Sequence, residues 1–177
     1  MSVLVDFQIK ALAENGAVDP FDPSLLNPAS LDVRLGKVLM IEVPGTDEMI
    51  RVSIEESSRE EPFWLPPGAF CLAETVESFA LNERTACQFV LKSSRAREGL
   101  NHLLAGWCDP GWGYGGPEKR SVLTMELKNN RQLAPVALWS GMKIGQMKFF
   151  ALSEPPLSSY AITGRYNGDW GVQESKG

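Results

Sequence analysis

With 177 residues, 44% of them hydrophobic and 22% charged, the chain has the size and balance of one globular domain able to bury about 70% of its unfolded surface. A formal net charge of −5 and a pI near 5.0 argue against wrapping duplex nucleic acid, which requires a basic face to displace counterions; a small anion held in a local basic loop stays open. Cys71, Cys87 and Cys108 show no CxxC or CxxH spacing, so free cytosolic thiols are expected rather than a disulfide framework or a zinc site, and a lone His102 removes most His-dependent triads and metal schemes unless it carries one alone.

In chain order, Asp6 is expected to cap a short helix, FQIKALAEN, with Phe7, Ile9 and Leu12 on one apolar side and Gly16 as its stop. After the proline-punctuated DPFDPSLLNPAS, the alternation of Leu31, Val33 and Leu35 in LDVRLGKVLMIEV predicts a half-buried strand. Residues 44–62 are charged and read as a hairpin or solvated excursion. Pro66-Pro67-Gly68 marks a turn between extended segments, and ACQFVLK is a further strand. The segments LLAGWCD, SVLTMELKN and VALWSGMKIGQMKFFAL follow, ahead of a glycine-aromatic tail, GRYNGDWG. Sixteen glycines and twelve prolines, no internal repeat and no long apolar or signal-like run predict a β-rich single domain, cytoplasmic and without membrane contact.

Chemistry concentrates in three places. KSSRAREGL (92–100) leaves a strand for about one helical turn, offering backbone N–H groups, the Ser93 and Ser94 hydroxyls and the Arg95 and Arg97 guanidinium forks to an anion such as phosphate. Its simpler reading is a solvent-facing helix start with ordinary surface arginines. AGWCDPGW (105–112) holds Asp109 in an Asp-Pro-Gly turn, which is either only a turn or a carboxylate for a ligand hydroxyl or a water. In SVLTMELKN, strand periodicity puts Val122, Thr124 and Glu126 on one face and Leu123, Met125 and Leu127 on the other. A mid-strand carboxylate flanked by Met and Leu suits proton transfer if it meets a ligand; on a one-sided sheet it is merely solvated.

Together SLDVRLG (30–36), KSSRAREGL, AGWCDPGW, TMEL (124–127), LWSGMKIGQ (138–146) and RYNG (165–168), with the N-terminal helix and its Asn-Pro loop, resemble the dCTP deaminases of the dUTPase superfamily, in order along nearly the whole chain. The resemblance implies a mainly β fold, a distorted β-barrel of jelly-roll character with a short N-terminal helix, spanning residues 1–177 as one domain. It also implies a homotrimer with active sites between subunits and a tail, 158–177, closing over the nucleotide. By the same resemblance Glu126 is the catalytic carboxylate, with Ser93 and Arg97 orienting water and triphosphate. Lys92, Ser94 and Gln146 lie near the phosphates and nucleotide, Asp109 on the 3′-hydroxyl, and Ala105, Thr124 and Met125 around the base, with Trp107 a further substrate-binding residue. Tyr160 and Arg165 belong to the closing tail. No protein metal ligand and no zinc are expected, because H-x-E with P-C-x-x-C is missing; Mg²⁺ accompanies the triphosphate.

The implied reaction is hydrolytic deamination of dCTP to dUTP and ammonia, with dTTP a candidate inhibitor. Gly106-Trp107 instead fits members that also hydrolyse dUTP to dUMP and pyrophosphate, which leaves a bifunctional enzyme as the alternative. A plain dUTPase and a non-enzymatic trimeric nucleotide-binding barrel are the other readings. WGYGGPEKRSV (112–122) is longer than the family's usual hairpin and reads as a flexible tip, and Asp169 stands where the tail normally offers glutamine, beside phosphates it would repel unless Mg²⁺ or Arg165 intervenes.

Overall fold

A computed structural model of the chain describes residues 1–114 and 120–177; residues 115–119, the middle of the expected tip, lie outside the described residues. The strands are β1 (Ser2–Val3), β2 (Val18–Asp19), β3 (Leu26–Asn27), β4 (Ser30–Glu42), β5 (Met49–Ser53), β6 (Phe63–Leu65) and β7 (Phe70–Phe79). They continue as β8 (Thr85–Leu91), β9 (Leu100–His102), β10 (Trp107–Cys108), β11 (Ser121–Asn129), β12 (Val136–Leu138) and β13 (Lys143–Ala151). Short helices α1 (Asp6–Leu12), α2 (Ser93–Arg97) and α3 (Tyr160–Thr163) punctuate them.

The fold is mainly β. Among the described residues one antiparallel sheet runs β10-β8-β13-β4-β7-β11-β9, with β1, β2, β3 and β5 on its flanks, and β12 pairs with β6 in a second. β4 explains the curl: its first half, Leu31 to Arg34, pairs with β13, and its second half pairs with β5 and β7. Register shifts between Leu35 and Leu39 and between Val122 and Thr124 mark bulges, which bend a sheet and increase its twist. The resulting half-barrel closes on a core in which Leu31, Leu35, Leu39, Phe79, Met125, Leu127, Ile144 and Phe149 are almost fully buried.

At the edge of that core, the fully buried Glu77 carboxylate accepts from the Arg34 backbone N–H at 2.8 Å and from Arg34 Nε at 2.7 Å. The pair ties β4 to β7 on both main chain and side chain.

The N-terminal helix starts one residue earlier than expected. Val5 takes the cap position and its N–H donates to the Gln8 side chain at 3.1 Å, while Asp6 is the first helical residue. Ile9 is buried and Leu12 partly so, but Phe7 is 70% exposed, since two positions along a helix turn a side chain to nearly the opposite face. Gly16 ends the turn at φ 90° as expected. Residues 44–62 supply β5, which pairs with the end of β4 as the second arm of the predicted hairpin, and Gly68 completes the proline turn at φ 75°.

Candidate active site

Along β11 the half-buried Val122, Thr124 and Glu126 alternate with the buried Leu123, Met125 and Leu127, as two-residue periodicity requires. The outward set floors a cleft of about 720 Å³. Ala105, Trp107, Cys108 and Asp109 form one wall, Trp112 and Tyr160 another, and Asp169 with Gln173–Ser175 of the tail a third, with Asp47 and Met49 at the rim.

The 105–112 wall is shaped by two glycines. A Cβ on Gly106 would fall 2.6 Å from the carbonyl oxygen of Phe89, whose N–H bonds the Gly106 carbonyl at 2.7 Å, so only glycine lets β8 approach here. Gly111, at φ 88°, completes the Asp109-Pro110 turn, closed by the Trp112 N–H to the Asp109 carbonyl at 3.1 Å. That turn aims the Asp109 carboxylate into the cleft, where it accepts from Trp107 Nε1 at 2.9 Å. Just before it, Leu104 holds φ 68° while 91% exposed, a costly backbone for a non-glycine residue beside a ligand cleft.

Glu126 presents two unlike oxygens. Oε2 is buried 3.3 Å from Nε2 of His102, on the neighbouring β9, and neither atom has a hydrogen-bond partner. Oε1 is not among the buried unpartnered atoms, and the side chain keeps 28% exposure, so it is the oxygen open to the cleft. A carboxylate buried on one side and open on the other can accept a proton from a bound water.

The tail lies across the same strand. Val172 is fully buried against Met40 and Leu72, its N–H donating to Glu74 Oε2 at 3.0 Å. Val122 N–H donates to the Asp169 carbonyl at 2.8 Å, and Gln173 N–H to Thr124 Oγ1 at 3.2 Å. Asp169 has a cation at hand that the sequence did not indicate: Lys176 Nζ lies 2.6 Å from Oδ1 and 2.9 Å from Oδ2. Tyr160 lines the cleft, whereas Arg165 is exposed and outside it.

The remaining expected residues gather elsewhere. Lys92, Ser93, Ser94, Arg97 and Gln146 do not line the cleft. α2 follows β8 and leads into β9 at Leu100, opposite Asn129, so it stands off the far end of β11, roughly 10 Å along the strand from Glu126 at about 3.3 Å per residue. Ser93, Ser94 and Arg97 are exposed, and their side chains make no hydrogen bond or ion pair among the described residues. Beneath them Lys92 Nζ donates to Asp32 Oδ1 at 2.7 Å, with Lys143 at 3.4 Å from Oδ2 and Asn27 Nδ2 at 2.8 Å. Burial pushes the Asp32 carboxyl up, but the hydrogen bonds from Lys92 and Asn27 outweigh it and hold it below its ordinary value. Gln146 Oε1 accepts from Ser30 Oγ at 2.6 Å beside this cluster.

Arg95, offered by the sequence as a second anion fork, is engaged within the fold: its NH1 lies 2.8 Å from Glu98 and its guanidinium 5.7 Å over the Trp139 ring. Met125 is fully buried on the opposite face of β11, so only its main chain can meet a ligand. Sequence reasoning missed Trp112, stacked on Phe79 at 5.4 Å, and the tail contacts through Gln173; of these only Trp112 lay within a motif already singled out. Among the described residues no cluster of three or more His, Cys, Asp or Glu is placed to hold a metal, and no helix is long and apolar enough to cross a membrane.

Residues 3–152 match the family model described as dCTP deaminase-like. The chain is 38% identical over 98% of its length to a protein of Acidothermus cellulolyticus named dCTP deaminase, dUMP-forming, covering 94% of it, and 37% identical, with the same coverages, to one of the same name from Streptomyces coelicolor. A crystal structure of 2′-deoxycytidine 5′-triphosphate deaminase from Agrobacterium tumefaciens superposes with a TM-score of 0.60 at 21% identity, over 83% of this chain and 47% of that one, about half its length; that likeness speaks for the fold alone. On the family model and these relatives, the chain belongs to the dCTP deaminase family.

Proposed function

We propose that the protein is a bifunctional hydrolase that deaminates dCTP and carries the resulting dUTP on to dUMP and pyrophosphate. The observation that carries the first step is Glu126, a carboxylate with one oxygen buried and one open to a cleft that also holds Asp109, Thr124 and Trp107. The second step rests on the relatives, which are named dUMP-forming, and on Gly106-Trp107; the simpler expectation of dUTP as the released product yields to it.

In the first step Glu126 Oε1 takes a proton from water as the oxygen attacks C4 of cytosine. The carboxyl passes that proton to N3, then takes the second from the new C4 hydroxyl and delivers it to the departing amino group, so that the C4–N bond breaks, the carbonyl forms and ammonia leaves. In the second, Asp109, already on the 3′-hydroxyl side, orients the water that attacks the α-phosphorus, and pyrophosphate leaves.

The triphosphate needs more cations than this cleft offers, where Lys176 is already paired with Asp169. Its described lining carries five carboxylates, Asp47, Asp109, Glu126, Asp169 and Glu174, and no lysine or arginine. Such a wall suits a base and its water but repels phosphates. Lys92, Ser93, Ser94 and Arg97 are the complementary surface, exposed and unengaged apart from Lys92. We therefore assign them to the cleft of a neighbouring copy in a homotrimer, where Ser93 also orients the water and Gln146 supports the turn. Mg²⁺ would enter with the triphosphate as part of the substrate and offset its charge. Tyr160 and Arg165 serve tail closure, dTTP is a competing ligand of the same site, and the setting is the cytoplasm.

Incubation with dCTP and Mg²⁺, resolving ammonia, dUTP, dUMP and pyrophosphate over time, tests the proposal. Stoichiometric ammonia and dUMP are expected. Accumulating dUTP would restrict the enzyme to deamination, turnover of dUTP alone would make it a dUTPase, and binding without turnover would leave the non-enzymatic barrel.

A further inference from the structure

His102 has no place in the chemistry above, yet it touches its central group. The ring is 5% exposed, on β9 directly across from Leu127, and packs edge-on against Phe89 with centroids 4.7 Å apart. Its Nε2 faces Glu126 Oε2 at 3.3 Å, and both atoms are buried without a hydrogen bond; Arg95 Nε is the only other such side-chain atom among the described residues. Buried polar atoms are nearly always paired, and one that is not commonly marks strain or a catalytic role. Here two unpaired atoms face each other across a gap that is within ion-pair reach but misaligned for a hydrogen bond, and one belongs to the proposed proton carrier.

Resting on the function proposed above, we infer that His102 is the positioning residue of Glu126: with its proton on Nε2 it donates to Oε2 as the site closes around a nucleotide. That bond holds the carboxylate rotamer and leaves Oε1 alone to exchange protons with water, N3 and ammonia. No proton is consumed, since Nε2 keeps its hydrogen throughout. The geometry needs only a small rotation of the imidazole against Phe89. Neutral histidine carries one ring proton, and which nitrogen holds it is set by the partner it meets, here a carboxylate oxygen.

His102→Phe keeps the aromatic packing and removes the donor, whereas His102→Gln places an amide donor near the position of Nε2. On the full chain the expected result is a loss of kcat of about 10²-fold for His102→Phe with KM for dCTP within a few-fold, and recovery of most of that loss in His102→Gln. Equal kcat for His102→Phe and the parent would overturn the inference, as would equal losses in both variants. A parent chain that releases no ammonia would instead defeat the function proposed above. One readout is independent of turnover and of any variant's folding: His102 is the only histidine, so long-range ¹H–¹⁵N correlation of the imidazole reports a single ring. The proton is expected on Nε2 in the neutral ring of the parent; a neutral ring protonated only on Nδ1 would overturn the assignment.

Discussion

At the scale of single residues, Glu126 was legible because strand periodicity alone separates it from Met125 and Leu127, and the structure keeps that division. What the pattern could not show is the partner of its second oxygen, because His102 reaches it through the β9–β11 register, a pairing of residues far apart in sequence. Removing the charge should test the role. Glu126→Gln is expected to lower kcat for deamination by about 10²–10⁴-fold while calorimetry still registers dCTP binding. Parent-level turnover in that variant would rule out Glu126 as the proton carrier.

The cysteines make a second prediction at this scale. Burial pushes the Cys71 thiol up to about 12, and burial followed by the hydrogen bond with Cys108 raises Cys87 well above its ordinary value. An acid whose value is raised stays protonated, so neither thiol supplies thiolate at pH 8. A colorimetric thiol reagent at that pH should leave Cys71 and Cys87 unmodified in the native protein, as mapped by mass spectrometry, and modify all three cysteines in denaturant. Rapid native labelling of Cys71 would contradict its burial.

At the scale of elements, most strands could be read from alternation and turn residues, while the helix start was misplaced by one residue because the cap is a backbone-to-Gln8 contact rather than a side-chain acceptor on Asp6. The tail was harder. GRYNGDWG reads as irregular chain, and it is, but its course follows from Val172 entering a pocket of Met40 and Leu72 and from main-chain bonds to Val122 and Thr124, none of which has a local signature. The β4–β7 junction yields the clearest stability test. Glu77 is fully buried and bonds Arg34 through both backbone and guanidinium. Glu77→Ala removes the buried acceptor of both bonds and leaves the Arg34 N–H and its partly exposed guanidinium without it, so urea unfolding should register a loss of about 1–3 kcal/mol. A change below about 1 kcal/mol would mean that the Arg34 charge finds solvent without cost.

At the scale of the whole molecule, the sequence motifs named one constellation and the chain divides it between two surfaces. Ala105, Trp107, Asp109, Thr124, Glu126 and Tyr160 share an acidic cleft; Lys92, Ser93, Ser94, Arg97 and Gln146 stand apart from it. Motif order along a chain carries no information about which copy of the chain supplies each motif, so this division could enter the sequence reading only through the family resemblance. The charge imbalance is the physical argument for the proposed assembly: a triphosphate repelled by the cleft of one copy would be matched by the basic turn of another.

Subunit complementation tests that claim most directly. Glu126→Gln and Arg97→Ala chains carrying different tags, each nearly inactive alone, are co-expressed and the doubly tagged oligomer is isolated. The account predicts that mixed oligomers regain substantial dCTP deamination, because an intact cleft then meets an intact turn from its neighbour. Mixed oligomers no more active than either parent variant would contradict it.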